Sequence, residues 1–428
     1  MKTLFLQLLR FKLRYLARLT LARYEPRIIG VTGSVGKTST KFALKAVLAK
    51  NYRVRASAGN LNNELGLSLA ILGDWSEKEL ALVSHAQPAG TAKLRKLFFW
   101  FKVIMSSVWR IIKKDERYPE ILILEYGADR PGDIKKLLKI ARPEMAIITA
   151  VGDIPVHVEF FAGPEEVARE KGRLIECLPA AGLAVLNGDD DTVARLQSRT
   201  RARVMTFGFL KETDVRITRF ENSVEGDQPL GISFKLEYQG AFVPVRIKGV
   251  FGKAQAYAAA AAAVVGIAFG MNLVAISEAF GDYVPAPSRM RLIAGIKGTL
   301  IIDDCYNASP LSMHAALDAL RDLPAKRKVA VLGDMLEIGK YTAEAHEHVG
   351  ALAGTFLDVL VTVGARAKFI AEAAKSAGMK SANILSLDTA DDAKKFVQDL
   401  MRKGDLVLIK GSHSMELDKV VEEMRFIQ

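Results

Sequence analysis

The chain has 428 residues, half of them hydrophobic and a quarter charged, which is typical of a folded globular protein and excludes a disordered one. Its lysines and arginines exceed its acidic residues by 12, which favours anionic partners such as nucleotides or acidic membrane surfaces. The two cysteines, Cys177 and Cys305, provide no disulfide framework or zinc pattern, which fits a reducing cytosol. The length exceeds one ordinary core, so we expect two domains, or two domains and an appendage.

The first predicted element is a basic amphipathic helix over residues 1–24. Lysines and arginines interrupt its apolar residues, which argues against a signal peptide and against a helix that spans the bilayer. Two interpretations stay open, a helix packed on the protein and a helix at a membrane surface. A second apolar and basic stretch, 94–114, has the same two interpretations. In the first segment the leucines recur at the spacing of an α-helix: Leu6, Leu9, Leu13, Leu16 and Leu19.

A mostly parallel sheet with helices on both faces is predicted next. Arg27–Thr32 is a buried strand, followed by a glycine-rich loop and a helical pattern over 37–50. Three more buried strands, 121–124, 145–149 and 183–186, alternate with helical stretches. Between 215 and 250 apolar and polar residues alternate, which predicts a β-hairpin of 232–238 and 242–248 before an alanine-rich helix, 254–269.

A boundary is predicted at residues 285–288, where two prolines interrupt the chain. Strands at 299–302, 328–332, 359–363 and 406–409 then predict a second, smaller doubly wound domain. The fold class is therefore α/β. We expect a helix at 1–24, a central phosphate-loop domain at 25–288 with the insertion 94–114, and a Rossmann-like domain at 289–428.

The loop after the first strand is typical of a phosphate site. Backbone N–H groups of Gly33 to Thr38 would face phosphate oxygens, Lys37 would add a positive charge, and the Thr38 hydroxyl would reach Mg²⁺. A strict Walker loop has glycine five residues before Gly36, where this chain has Val31. The alternative is a chance surface Gly-Lys-Thr, which the strand–loop–helix context disfavours.

Three other residues are candidates with ordinary alternatives. Glu125 ends a buried strand, where a carboxylate can bind the magnesium shared by two phosphates, although such a residue is often only solvated. His157 follows a strand-end loop and is either a metal ligand or a structural histidine. Lys171 alone would be interpreted as a surface lysine.

Ordered motifs from about residue 27 to 415 resemble the Mur ligases, the cell-wall peptide ligases, and their folylpolyglutamate synthase relatives. The loop Val-Thr-Gly-Ser-Val-Gly-Lys-Thr-Ser-Thr has that family's form, including the departure from the Walker pattern. The further motifs that carry the resemblance are residues 59–66, 124–128, 131–132, 157–161, 170–172, 303–310, 332–337 and 410–412.

The resemblance implies a site for ATP, two Mg²⁺ ions and a CO2-derived carbamate on Lys171. It implies catalytic roles for Lys37, His157 and Lys171, and metal ligands at Thr38, Glu125, His157 and carbamylated Lys171. The acceptor and amine would be contacted by Asn60, Asn62, Asn63, Lys410 and Ser412. ATP would be bound by Thr32, Gly33, Ser34, Val35, Gly36, Lys37, Thr38, Ser39, Gln255, Arg289, Asp304, Tyr306 and Asn307.

The activity that the resemblance implies is ADP-forming amide ligation in peptidoglycan precursor synthesis. ATP would phosphorylate the peptide carboxylate of a muropeptide, and D-alanyl-D-alanine would attack the acyl phosphate. The alternatives are a Mur-type ligase with a lipid-linked or glutamyl acceptor, and a non-catalytic nucleotide-dependent scaffold at the membrane. We expect a monomer in the cytoplasm, with contact to the inner membrane face through 1–23 and 94–114, and no nucleic-acid partner.

Two departures from the family pattern concern substrate and base. Only about 25 residues precede the first strand, where the family has an N-terminal UDP-binding domain, so we expect that domain to be lacking. Within the stretch 252–258, Ala254 and Ala258 replace a histidine and an asparagine that the family uses near the adenine, while Gln255 keeps one amide.

Overall fold

The computed structural model describes residues 2–57, 59–82, 92–226 and 228–426. Within these ranges the strands form two sheets, and helices cover both faces of each sheet. The strands of the first sheet are β1 (Arg27–Thr32), β2 (Val54–Ala56), β3 (Ile121–Glu125), β4 (Met145–Ile148), β5 (Leu183–Asn187), β6 (Arg203–Gly208), β7 (Val215–Glu225), β8 (Gln228–Tyr238) and β9 (Ala241–Lys248).

The first sheet has the order β2-β3-β1-β4-β5-β6-β7-β8-β9 in the described residues. The strands run parallel as far as β7, and β7, β8 and β9 form an antiparallel meander. The predicted strands and hairpin are confirmed, with Gln239 and Gly240 both at positive φ in the turn, as a tight hairpin requires. Three strands, β2, β6 and β7, add to those predicted.

Helices cover the first sheet on both faces, as the alternation predicts. The helices of this part are α1 (Lys2–Tyr24), α2 (Lys37–Leu48), α3 (Glu64–Leu72), α4 (Glu77–Ala81), α5 (Ala92–Ile112), α6 (Asp133–Leu138), α7 (Pro164–Glu176), α8 (Asp191–Ala194), α9 (Lys253–Ala268) and α10 (Leu273–Ala279).

The core on each side of the first sheet follows from alternation along its strands. Ile29 and Val31 of β1 pack into one core with α2 and the buried alanines of α9. Ile28, on the opposite face, belongs to a second core with α1, α3, α5 and α7. The small alanine side chains let α9 pack closely against α2, where a Cβ on Gly266 would lie 2.9 Å from Val47.

The second sheet forms the C-terminal part and has the order β10-β11-β15-β12-β13-β14 in the described residues. Only its edge pair, β10 and β11, is antiparallel among the described pairings. The predicted strands are confirmed; β10 and β14 are additional. Its elements are β10 (Arg291–Ala294), β11 (Leu300–Asp303), α11 (Pro310–Asp322), β12 (Arg327–Gly333), α12 (Thr342–Gly354), β13 (Val359–Val363), α13 (Lys368–Ser376), β14 (Ile384–Leu387), α14 (Ala390–Leu400), β15 (Asp405–Lys410) and α15 (Asp418–Met424).

The two apolar and basic segments are helices α1 and α5. Leu9, Leu13 and Leu16 of α1 are buried, so the helix packs on the protein. Leu6 and Leu19 of the same helical series are exposed, at 42% and 37%. None of the helices in the described ranges combines the length and apolarity that a bilayer crossing requires. The residue limits of the two domains stay a prediction.

Candidate active site

The glycine-rich loop connects β1 to α2 and is fixed against the end of β4. Gly33 and Gly36 have φ of 147° and 89°, and a Cβ on Gly33 would lie 2.0 Å from the Thr149 hydroxyl oxygen. That hydroxyl donates to the Val35 carbonyl (2.6 Å), while the Ser34 amide donates to the Ala150 carbonyl (2.6 Å). The predicted strand–loop–helix arrangement is confirmed, and the loop is held open by glycine and by its neighbour strand.

Lys37 begins α2 and folds back over the loop. Its ammonium donates to the carbonyls of Gly33 (2.9 Å) and Ser34 (3.4 Å). Burial lowers the pKa of Lys37, and the nearby carboxylate of Glu125 partly offsets this effect. The lysine charge is therefore poorly solvated and would gain from an anionic ligand at the loop.

Glu125 lies fully buried at the end of β3, directly beneath α2. Its Oε2 accepts from the Thr38 hydroxyl at 3.4 Å and lies 3.3 Å from the Lys41 ammonium. Within the described residues, Glu125 Oε1 and the Ser34 hydroxyl have no hydrogen-bond partner. Because buried polar atoms are normally paired, these two atoms indicate room for a polar ligand at this point.

Lys41 is a site residue that the sequence analysis missed. It is completely buried, pairs with Glu125, and also donates to the Gly59 carbonyl (2.8 Å) and the Ser57 hydroxyl (3.3 Å). Burial lowers its pKa, and Glu125 opposes that shift. The one available indication was its position four residues after Lys37, on the same helix face.

His157 connects the two halves of the protein. It has a φ of 69°, its Nε2 lies 3.3 Å from Asp129, and its Nδ1 lies 2.6 Å from Glu337, which follows β12 in the second sheet. The hydrogen bond with His157 lowers the pKa of Glu337. No group of three or more histidine, cysteine and acidic side chains arranged for a metal is found in the described part of the chain.

Lys171 is buried in α7. Burial and the positive charge of Lys37 lower its pKa to about 7, and the carboxylates of Asp129 and Glu170 only partly oppose them. Asp129, which was also missed, influences Lys37 and Lys171 and contacts His157.

The opposite wall of the cleft comes from residues after 288. The Arg289 guanidinium lies over the Tyr306 ring, 4.0 Å from its centroid, and the Tyr306 ring also stacks with the His413 ring. Asp304 is buried, which raises its pKa, while the Lys410 ammonium at 2.6 Å opposes this and also donates to the Asn307 carbonyl.

Several predicted contacts are already used within the protein. The Gln255 amide bonds to the Arg289 carbonyl (3.1 Å) and the Tyr283 hydroxyl (3.1 Å), and Asn63 caps α3 through the Gly66 amide. The Ser412 hydroxyl accepts from the Leu336 amide (2.9 Å). The Asn62 amide donates to Asn60, and both face the cleft. The ligand roles of these residues stay predictions.

Two neighbouring cavities lie at the phosphate loop. A cleft of about 310 Å³ is bounded by Lys37, Glu125 and His157 on one side and by Arg289 and Tyr306 on the other. A neighbouring cavity of about 700 Å³ shares the loop residues Val35 and Gly36 and is lined by Ala254, Ala258, Tyr257, Asp189 and Lys253. The two departures at positions 254 and 258 thus face open space beside the loop.

Comparisons with known proteins agree with this geometry. The Mur ligase middle domain family matches residues 31–84 and 108–266, and the Mur ligase glutamate ligase domain family matches 288–413. The UDP-N-acetylmuramoyl-tripeptide–D-alanyl-D-alanine ligase of Bacillus subtilis is 30% identical over 414 residues, covering 96% of this chain and 79% of the relative. The Mycobacterium tuberculosis ligase of the same name is 31% identical, covering 93% and 72%.

Solved structures give the same result. The MurF ligase of Thermotoga maritima in complex with ADP has 28% identity and a TM-score of 0.75, covering 97% of this chain and 83% of that one. MurF from Acinetobacter baumannii has 25% identity and a TM-score of 0.75, covering 97% and 80%. With both family domains matched over most of its length, the chain belongs to the Mur ligase family.

Proposed function

We propose that this ATP-dependent ligase joins D-alanyl-D-alanine to the peptide carboxylate of a muropeptide. The relatives named above bear the name of that reaction. The observation that carries the proposal is the cleft itself, in which the phosphate loop and Glu125 face Arg289 and Tyr306 from the other half of the chain. This arrangement suits a phosphoryl donor on one side and an acceptor carboxylate between the walls.

The proposed reaction has two chemical steps. The acceptor carboxylate attacks the γ-phosphorus of ATP, and the bond between that phosphorus and the bridging oxygen of the β-phosphate breaks. ADP departs as the leaving group, and the product is an acyl phosphate. The amine of the dipeptide then attacks the acyl carbon, loses a proton, and displaces inorganic phosphate to form the amide. Lys37, Arg289 and the loop amides stabilise the negative charge that develops during phosphoryl transfer.

The residues present fit a magnesium ion at the phosphate loop. The Thr38 hydroxyl and the unpaired Glu125 Oε1 are oxygen donors of the kind that Mg²⁺ prefers, and they lie beside the site for the phosphates. A bound magnesium ion neutralises charge on the phosphate oxygens. We assign His157, together with Lys171 as a carbamate, to the second metal position.

Lys171 has the property that carbamate formation needs. A pKa of about 7 leaves much of the amine neutral at physiological pH, so its nitrogen can attack CO2 and release one proton. The product carries a negative charge, which turns the repulsion between Lys171 and Lys37 into attraction. A buried lysine would thereby be converted into an oxygen ligand.

We propose that the enzyme works as a monomer in the cytoplasm. A lipid-linked acceptor is the second candidate substrate. Helices α1 and α5 expose apolar and basic residues, and both pack against α3, the helix that follows the Asn60–Asn62 loop. ATP, acceptor and amine would meet in the cleft between the two sheets. The predicted adenine contact of Gln255 remains part of this proposal.

The proposal is tested by incubating the full chain with ATP, Mg²⁺, bicarbonate, candidate muropeptides and a panel of amines that includes D-alanyl-D-alanine. Phosphate release that needs both an acceptor and an amine, with the matching product mass, is expected. The variant Lys37→Ala should lose this activity, while Lys45→Ala, an exposed lysine on the same helix, should keep it. Firm nucleotide binding without turnover of any pair would contradict the proposal.

A further inference from the structure

The outer faces of α1 and α5 form an apolar surface. On α5, the exposed residues recur at helical spacing opposite the face that packs on the protein: Leu94, Phe98, Phe101, Met105, Trp109 and Ile112. Each has at least half of its side chain exposed, and Leu94 reaches 81%. An amphipathic helix of a globular protein normally has a polar outer face, so this arrangement needs a partner.

The same organisation is found on α1. Its inner face packs against α3 and α5, while Leu8, Phe11 and Tyr15 are more than half exposed on the opposite face. An apolar groove between Leu8 of α1 and Leu97 and Phe98 of α5 joins the two exposed stripes. The two helices therefore present one continuous apolar surface, the α1–α5 surface, formed by residues 8–19 of α1 and 94–112 of α5.

Nearly all of the net positive charge of the protein comes from these two helices. They contain 11 of the 60 lysines and arginines and none of the 48 acidic residues, so they account for nearly all of the net charge of +12. Exposed basic residues such as Arg10, Arg18 and Arg95 border the apolar stripes. Apolar side chains bordered by cations match the interface of a bilayer with anionic headgroups, where both contributions add.

We propose that the α1–α5 surface binds an anionic lipid bilayer from one side, without spanning it. A second copy of this chain is disfavoured as the occupant, because pairing two such surfaces would bring their uncompensated positive charges together. Because α1 and α5 pack against α3, which follows the Asn60–Asn62 loop, bilayer binding would hold that side of the cleft near the membrane. This inference does not depend on which acceptor the ligase uses.

Trp109 provides a direct test. It is 62% exposed, whereas Trp75 and Trp100, the other tryptophans of the chain, are 6% and 5% exposed. Mixing the full chain with phosphatidylcholine vesicles that contain phosphatidylglycerol should shift its tryptophan emission to shorter wavelength. Vesicles of pure phosphatidylcholine should give a much smaller shift, and high salt should reduce the shift seen with phosphatidylglycerol. The variant Trp109→Phe should lose the shift but still co-float with the vesicles.

Matched variants separate a built surface from nonspecific binding. Phe98→Ser with Phe101→Ser, and separately Arg10→Gln, Arg18→Gln and Arg95→Gln together, should each weaken vesicle binding roughly tenfold or more. Phe369→Ser with Phe396→Ser, and Lys211→Gln, Lys375→Gln and Lys380→Gln together, change exposed residues elsewhere and should leave it unchanged. Equal effects of the two sets, or no binding by the unaltered chain, would overturn the proposal. The proposal would also be overturned if light scattering showed a stable dimer that the substitutions Phe98→Ser and Phe101→Ser together convert to monomers.

Discussion

At the scale of single residues, the site depends on charges that are buried next to one another. Lys41 and Glu125 are both inaccessible to solvent and 3.3 Å apart, at the point where α2 crosses the end of β3. Lys171 is buried as well, and the positive charge of Lys37 helps to lower its pKa. The site therefore combines a buried ion pair, Lys41 with Glu125, and an unfavourable interaction between the like charges of Lys37 and Lys171.

The Lys41–Glu125 pair leads to a stability prediction. Lys41→Met should lower the free energy of unfolding by about 3 kcal/mol, because it leaves a buried carboxylate without its cation. Lys45→Met, an exposed lysine one helical turn further along α2, should change it little. Chemical denaturation measures both. The double variant Lys41→Met with Glu125→Gln should lose less than the two single losses together, and simple additivity would show that the pair does not interact.

The pKa of Lys171 predicts a pH dependence. An unfolded chain protonates this lysine with a pKa near 10.5, and the folded protein does so near 7. Between these values the unfolded state binds more protons, so this group makes folding more favourable as pH rises, by at most about 1.4 kcal/mol per pH unit. Denaturation in CO2-free buffer at pH 7 to 9 should show this rise, and Lys171→Met should have a smaller slope. Equal slopes would contradict the assigned pKa.

At the scale of elements, α1 has a buried face and an exposed apolar face, and we propose a different role for each. Leu13 is completely buried against the first sheet's helices, whereas Leu8 is 52% exposed. Leu13→Ala should lower the free energy of unfolding by about 3 kcal/mol through the lost contacts and the cavity. Leu8→Ala should leave stability nearly unchanged and weaken vesicle binding instead. Thermal and chemical denaturation would disprove the division of faces if the two substitutions destabilised the protein equally.

The elements also show what a sequence can predict. The bounds of β1 follow from its apolar, β-branched residues between polar neighbours, and the hairpin follows from the alternation on either side of Gln239 and Gly240. The strands β2 and β14 were missed because they are short, partly exposed edge strands with little apolar pattern. Their identity depends on the neighbours with which they pair.

Site residues could be proposed from the sequence where they belong to contiguous motifs. The phosphate loop, Glu125 and Lys171 each stand in a recognisable stretch, and their ligand roles stay predictions. Lys41 and Asp129 could not, because their roles depend on distances between elements far apart in the chain. The intramolecular bonds of Gln255 and Asn63 were equally hidden, since a polar side chain's partner is decided by tertiary packing.

At the scale of the whole molecule, the two sheets contribute opposite walls of one cleft. His157 contacts Glu337 across it, and Glu159 donates its backbone amide to the Glu337 carbonyl (3.3 Å). The two polar contacts are partly exposed, and the walls also share a buried apolar cluster in which Val158 and Phe251 pack with residues of the second part. A nucleotide whose phosphates contact both Lys37 and Arg289 would add a further connection between the two walls.

Nucleotide binding should therefore protect both walls together. A non-hydrolysable ATP analogue with Mg²⁺ should slow backbone hydrogen exchange in residues 33–41 and also in residues 304–312, because a ligand that bridges the cleft restrains local opening on each side. Mass spectrometry resolves these peptides separately. In Lys37→Ala both effects should disappear, since the phosphates lose their first contact, whereas Lys45→Ala should retain them. Protection confined to 33–41 would show that the nucleotide binds one wall only, and that Arg289 and Tyr306 act on another ligand.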